Sequence, residues 1–309
     1  MDRREALVLL TSSVAALPAL GRSEEQTAAT GDSASRAALD RAEPPPLPYT
    51  PGKRLRAAFI VSAGAEVVDF AGPWGVFEYV YLPDDNLQPF ELFTVAATTE
   101  PVRVSGGMVV VPNYTFDNAP MPDVIVVPAM SDHTDAPMLA WLKRQAAESD
   151  MTMSVCNGSF ALAHAGLLSG RPATAHHGAY ALLQADFPDI QVKRGARYVD
   201  VGNLATSGGL TSGIDLALHV VSRYFGNDIA QQTAVSMEYQ GQGWRDPNSN
   251  AMFAVRPVST DAHPICPVCE AEIDKQSALT SDFRGKRYYM CSDMDKARFE
   301  QTPERFILP

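Results

Sequence analysis

The sequence predicts an α/β protein built as three layers around a mostly parallel sheet, followed by a small cysteine-bearing module. Three observations carry this expectation. Short continuous apolar runs alternate with helix-patterned stretches between residues 53 and 240. Such runs read as strands buried on both faces, and their alternation with helices implies parallel strands covered on both sides. Three of the four cysteines, Cys266, Cys269 and Cys291, fall within 261–309, whereas Cys156 stands alone at the end of an apolar run.

The bulk numbers bound the answer. A chain of 309 residues suggests one large or two modest domains, and 46% hydrophobic residues suffice for a buried core. The net charge of −11, with no cluster of Lys or Arg to offset it, argues against a nucleic-acid partner.

At the start, Arg3 and Arg4 precede an apolar stretch from Ala6 to Leu20. This stretch is too short to span a bilayer comfortably and has the layout of a signal peptide. The arginine pair is similar to a twin-arginine export signal, although Glu5 and Ala6 follow it. Residues 1–22 are therefore read as a signal peptide. The expected location is the periplasm, with no stable membrane insertion after cleavage. Residues 23–52, ending in EPPPLPYTP, read as a disordered Pro-rich linker.

From residue 53 the elements follow in order. LRAAFIVSAG is the first strand, and a helix pattern runs from Pro73 to Val80. ELFTVAAT and VIVVP are the next strands, and APMLAWLKRQAAES is an amphipathic helix with Pro137 near its start. MTMSV is a strand leading into Cys156 and a small-residue helix over 157–168. PATAHH is a short extended piece, and ARYVDVGNLATSGG reads as a hairpin turning near Gly202-Asn203. SGIDLALHVVSRYFG is a helix ended by Gly226, and DIAQQTAVSMEY is another. Residues 241–260 read as a linker to the module at 261–309.

Sites in such sheets lie beyond the carboxyl ends of the strands. Cys156 sits there, on the turn into a helix. A helix N-terminus favours thiolate over thiol, and the small residues Asn157, Gly158 and Ser159 leave backbone N–H groups accessible. The Asn157 amide is a natural oxyanion donor. A buried structural cysteine is the competing reading. Asp69 follows the first strand, so its loop opens at the same sheet end. Capping the helix after it is the simpler use. Ser212 and Asp215 have the spacing of a capping box. His176 and His177 follow the helix after Cys156, where a histidine within reach would take up a proton.

SVCNGSFALAHAGLLSGRPAT resembles the nucleophile elbow of the ThiJ/PfpI superfamily, which has a flavodoxin-like, class I glutamine-amidotransferase-like fold. GAEVVDFAGPWGVFE resembles the first loop and helix of its isonitrile-hydratase-like branch, and SGGLTSGIDLALHVV its last core helix. Together these cover roughly 53 to 226. The resemblance implies a catalytic set of Cys156, Asp69, Asn157, His176 and Asp215. In it Asp69 matches the carboxylate that hydrogen-bonds the thiol, His176 a histidine near the nucleophile, and Asp215 a site residue of that branch. Glu66 is the weaker carboxylate. Two departures bear on the substrate. Asn157 replaces the threonine of isonitrile hydratases. The loop after the third strand, glycine-rich in relatives, reads Pro128-Ala129-Met130, with a backbone donor at Ala129 or Met130.

In the tail, Cys266-x2-Cys269 is a ligand-type pair and Cys291 lies further on. A segment this short commonly needs a metal staple. Its P-V-C, G-K-R-Y-Y-M-C-S and F-E-x-x-P-E-R-F stretches resemble the YHS domain. Zinc or copper would be held by Cys266, Cys269 and Cys291, with His263 or Asp295 as fourth ligand. Asp295 stands where relatives often have another cysteine. Reduced or disulfide-bonded cysteines are the alternative. No organic cofactor is expected, since GGLTSG lacks the lysine of a phosphate loop.

Three functions follow. The first is an exported cysteine-dependent enzyme, hydratase-, hydrolase- or lyase-like, whose Cys156 thiolate adds to a small electrophilic molecule. The second is a non-catalytic redox- or metal-responsive binding protein. The third is an interaction protein docking through 261–309. Relatives are often homodimers.

Overall fold

A computed structural model describes residues 44–84 and 86–307. The expected signal peptide at 1–22, and the linker as far as residue 43, lie outside the described residues.

Seven strands form one sheet. They are β1 (Leu55–Ile60), β2 (Phe90–Ala96), β5 (Tyr114–Thr115), β6 (Val124–Val127), β7 (Met151–Ser154), β10 (Tyr198–Asp200) and β11 (Leu204–Ser207). Their order is β10-β11-β7-β6-β1-β2-β5, and all pairs are parallel except β10 with β11. Register is set by runs such as Ala57↔Val124 and Val124↔Met151. β10 and β11 form the expected hairpin, closed by Val201 N donating to Leu204 O at 2.8 Å. Two short pairs lie outside the sheet, β3 (Val102–Arg103) with β4 (Val109–Val110), and β8 (Pro172–Ala173) with β9 (Gln191–Val192).

The period-2 pleat of each apolar strand feeds two cores. Ala57 and Phe59 of β1 face helices α1 (Val67–Glu78), α5 (Ser212–Phe225) and α6 (Asn227–Ser236), packing with Val76, Phe77, Leu216 and Ala230. Ala58 and Ile60 face the opposite layer of α2 (Ala136–Ala146), α3 (Gly158–His164) and α4 (Tyr180–Asp186), with Trp141, Leu162 and Leu183. The result is the mostly parallel sheet between helical layers that the sequence predicts.

Three sequence expectations are corrected. Helix α1 starts after Glu66 rather than at Pro73, which lies inside it. Proline there leaves the Asp69 carbonyl without its i+4 donor, and the early start moves the Asp69 side chain from a capping position into the first turn. Residues 44–50 are not free linker. Leu47 N donates to Arg223 O at 2.8 Å, Arg223 Nη2 donates to Pro45 O at 2.6 Å, and the Tyr49 ring meets Phe225 edge-on at 4.9 Å. Residues 241–260 form a strap rather than a linker. Arg197 N donates to Pro247 O at 2.6 Å, and Phe253 stacks on His177 at 4.0 Å.

The tail carries the hairpin β12 (Leu279–Phe283) and β13 (Lys286–Met290), then α7 (Asp293–Gln301) and α8 (Pro303–Phe306). Its small core of Cys266, Val268, Ile273, Met290, Phe299 and Phe306 is completed by Ala185 of α4. Arg298 pairs with Asp186 at 2.8 Å and Arg305 Nη1 donates to Ala185 O at 2.9 Å. A core this small cannot stabilise a separate fold, so it closes on its neighbour. Among the described residues no helix is long and apolar enough to cross a membrane.

Candidate active site

The carboxyl ends of β1, β6, β7 and β11 meet at one place, and Cys156 occupies it. Its N–H donates to Gly208 O at 3.1 Å, which ties the end of β7 to the loop after β11. Its φ is +59°, in the left-handed region that residues with a Cβ rarely adopt. Such strain costs on the order of 1–3 kcal/mol and survives only where surrounding structure holds it. Gly158, which follows, packs directly on β6. A Cβ there would collide with Val127 O and stand 2.8 Å from Pro128 O.

Asp69 is fully buried beside the thiol. Its Oδ2 accepts from Ala129 N at 3.0 Å and its Oδ1 from Leu210 N at 3.2 Å, so it does not cap its own helix. The carboxyl also hydrogen-bonds the Cys156 side chain. Burial raises the Asp69 pKa from 3.8 to about 6, with the nearby Glu66 charge adding to it. The two N–H donors and the thiol oppose this.

The sequence expectation of a depressed thiol pKa is reversed. Burial, then the Asp69 charge, push Cys156 up to about 12. The N–H groups of Asn157 and Leu210 point at the sulfur and lower it less. Cys156 lies two residues before a helix of only seven residues, so the helix contributes little. The thiol therefore holds its proton while Asp69 titrates first, at about 6. Asp69 is placed to take the thiol proton as the sulfur forms its bond to a substrate.

The remaining predicted residues are distributed unevenly. Asn157 is adjacent, at the N-cap of α3 without capping it, and its buried Oδ1 has no hydrogen-bond partner. The Ala129 N–H, read as an oxyanion donor, is instead taken by Asp69. His176 lies on the neighbouring wall. Its Nδ1 accepts from Gly178 N at 3.1 Å, and its ring fills the place of a Gly209 side chain. Burial draws His176 below its ordinary value, with His177 adding to the effect. Asp215 points elsewhere. Its Oδ2 accepts from Arg197 Nε at 2.7 Å, and the capping box does not form, since Thr211 is the N-cap and makes no side-chain cap bond.

Two functional groups were not foreseen. Leu210, at φ +52°, is a second strained residue, and its N–H serves both Asp69 and Cys156. The Gly208-Gly209 pair before it was its only signal. Arg197 joins Asp215, Asn250 and Thr211, at 3.1 Å to the last two, and so holds the loop that carries Leu210.

In the tail, the donor atoms of Cys266, Cys269, Cys291 and Asp295 all lie within 4.8 Å of one another. Cys269 and Cys291 sulfurs are 3.2 Å apart, and Asp295 Oδ2 accepts from Cys291 at 3.0 Å and Cys266 at 3.4 Å. Bonds of about 2.3 Å to a tetrahedral ion put sulfurs roughly 3.8 Å apart, so small outward shifts would admit one. His263 is not part of this group. Its ring is exposed and its Nδ1 pairs with Glu272 at 2.6 Å.

Residues 55–223 match the sequence model of the DJ-1/PfpI family. The chain is 36% identical over 189 residues to an isonitrile hydratase of Pseudomonas putida, covering 60% of this chain and 78% of that protein. It is 28% identical over 150 residues to the HTH-type transcriptional regulator GbdR of Pseudomonas aeruginosa, covering 48% of this chain and 41% of the regulator. Among solved structures, a ThiJ/PfpI family protein of Pseudomonas syringae aligns with TM-score 0.55 and 27% identity, over 70% of this chain and 83% of that one. DJ-1beta of Drosophila melanogaster shares the fold, with TM-score 0.52 and 18% identity over 61% of this chain and all (100%) of that one.

Proposed function

The chain belongs to the DJ-1/PfpI family, and from that premise we propose that it is a cysteine-dependent enzyme adding water to a small electrophilic carbon. The observation that carries this reading is the strained Cys156 with the buried Asp69 carboxyl hydrogen-bonded to it. The similarity to an isonitrile hydratase points to the same class of substrate.

The chemistry follows from the pair. Cys156 Sγ bonds to the electrophilic carbon while Asp69 takes the thiol proton, so no free thiolate has to persist in a buried site. Asp69 returns that proton to the substrate carbon or nitrogen. Water then attacks the thioimidate carbon, Asp69 relays one water proton to the nitrogen, and the C–S bond breaks as the other water proton returns to the sulfur to restore the thiol. The sum is one water added. The Leu210 and Asn157 N–H groups face the sulfur and stabilise charge there. The unpartnered Asn157 Oδ1 is free to accept from a substrate N–H. His176 lines the wall, and Asp215 acts at a distance through Arg197.

The test is hydration of small isonitriles and nitriles, followed by amide appearance, with Cys156→Ser and Asp69→Asn beside the native protein. No amide from any of these substrates sinks the hydratase reading. A second reading is a ligand-sensing domain without turnover, favoured by the similarity to a transcriptional regulator. It predicts ligand binding that survives Cys156→Ser.

For the tail we propose a YHS-like module holding zinc or copper(I) on Cys266, Cys269, Cys291 and Asp295. Three sulfurs and one carboxylate suit a thiophilic ion. Such an ion would supply a structural crosslink. The N-terminal segment supports export to the periplasm.

A further inference from the structure

Resting on that metal reading, we propose that the loaded cysteine knuckle braces one wall of the Cys156 site, with Glu270 as the positioning residue. Glu270 directly follows Cys269. It holds φ +60°, and its side chain is only 6% exposed. It meets two guanidinium groups, Arg194 at 2.6 Å and Arg256 at 2.9 Å. A carboxylate so buried is tolerated only in a fixed ionic geometry. The knuckle is therefore seated at one place on the α/β domain.

That place is the back of the histidine wall. The Cys269 carbonyl oxygen neighbours Gly178, where an added Cβ would meet it at 3.4 Å, an ordinary contact distance. Gly178 N donates to His176 Nδ1 at 3.1 Å. The His176 ring lies over Gly209, next to Leu210, whose N–H serves Asp69 and faces the Cys156 sulfur. His177 is held between His176 at 4.2 Å and Phe253 at 4.0 Å. Arg194 covers the Tyr180 ring at 4.9 Å, and Tyr180 Oη accepts from Gly195 N at 3.2 Å. These contacts form a continuous path from Cys269 to the loop that carries Leu210.

Backbone bonds from Glu270 N to Cys266 O and from Cys266 N to Ala271 O, both 2.9 Å, close the Cys266–Cys269 turn, and an ion on its thiols would stiffen it further. With the ion bound, the turn is rigid and the wall is set. Without the ion the knuckle is held by the Glu270 ion pairs and backbone bonds alone, and the His176–His177 segment is freer to move away from Leu210. Cys156, 8% exposed in this structure, is then alkylated more readily.

The test is the iodoacetamide alkylation rate of Cys156, read by peptide mass spectrometry on the full chain. It compares zinc-loaded protein, protein stripped by a chelator, and zinc-loaded Glu270→Gln. Metal content is measured on each sample. Stripping should raise the Cys156 rate about tenfold, and Glu270→Gln should show the raised rate while keeping equimolar zinc. If stripping unfolds the chain, the loaded variant alone decides. Unchanged Cys156 rates with equimolar zinc would overturn the brace and leave the metal reading standing. A chain that retains neither zinc nor copper(I) fails the metal reading, and the brace with it.

Discussion

Leu210 donates its backbone N–H to Asp69 Oδ1 at 3.2 Å, across 141 residues of sequence, and the same N–H faces the Cys156 sulfur. One donor thus serves both members of the thiol–carboxyl pair. Ala129 N occupies the other Asp69 oxygen at 3.0 Å, so the carboxyl is fixed from two sides. Its remaining freedom is the proton exchanged with Cys156.

Asp69→Asn tests that exchange. The amide keeps the shape but cannot take the thiol proton, and its NH2 meets the N–H of Leu210 or Ala129 where an oxygen stood. The catalytic rate should fall about 10²- to 10⁴-fold, the usual worth of a positioned acid–base group. Single-turnover kinetics on the hydration substrate measure it. A smaller loss would move the proton-transfer role to His176.

The pH dependence of stability has a definite sign. Asp69 has its folded pKa raised from 3.8 to about 6 by burial. The folded state therefore holds this proton more tightly than the unfolded chain does. Its contribution to stability is full below about pH 4 and is lost as pH rises through about 6. The loss is about 3 kcal/mol on the unit conversion for a pKa shift. Urea unfolding across this range should show wild type losing stability relative to Asp69→Asn. A constant difference between the two would refute the raised value.

Much of the fold was legible because each apolar strand had to satisfy cores on both faces, which leaves runs such as LRAAFI and VIVV unmistakable. Cys156 was legible from its place at a strand end. Its charge state was not, because burial and the Asp69 neighbour come from other parts of the chain and outweigh a short helix. The Leu210 N–H was hidden for a related reason. A backbone donor leaves no side-chain mark, and only the preceding glycines hint at a tight loop. Pro73 misled because proline usually begins a helix, while here Val67 and Val68 had already opened it. In the tail, spacing identified three thiols, and only folding could choose Asp295 over His263.

Gly158→Ala should damage the elbow. The nearest obstacles to a Cβ are the carbonyl oxygens of Val127 and Pro128, which belong to β6 and its exit and cannot move aside. Overpacking of this kind costs about 1–3 kcal/mol. Thermal melting should show the loss, and Cys156 alkylation should change with it because α3 is pushed off the sheet. Ser159→Ala, which gives up one hydrogen bond from Oγ to Cys156 O at 3.3 Å, should be milder.

Arg197→Ala should be strongly destabilising. The Asp215 side chain is 2% exposed and Arg197 is its ionic partner at 2.6 Å. Removing the guanidinium leaves a buried carboxylate uncompensated and frees Thr211 and Asn250, at about 3 kcal/mol or more. The double variant Arg197→Met with Asp215→Leu should recover most of that stability, since it removes both charges together. Activity should separate the two effects. If Arg197 holds the Leu210 loop through Thr211, the double variant will be stable yet slow, with kcat reduced and KM little changed. A stable and fully active double variant would confine the pair to a structural role.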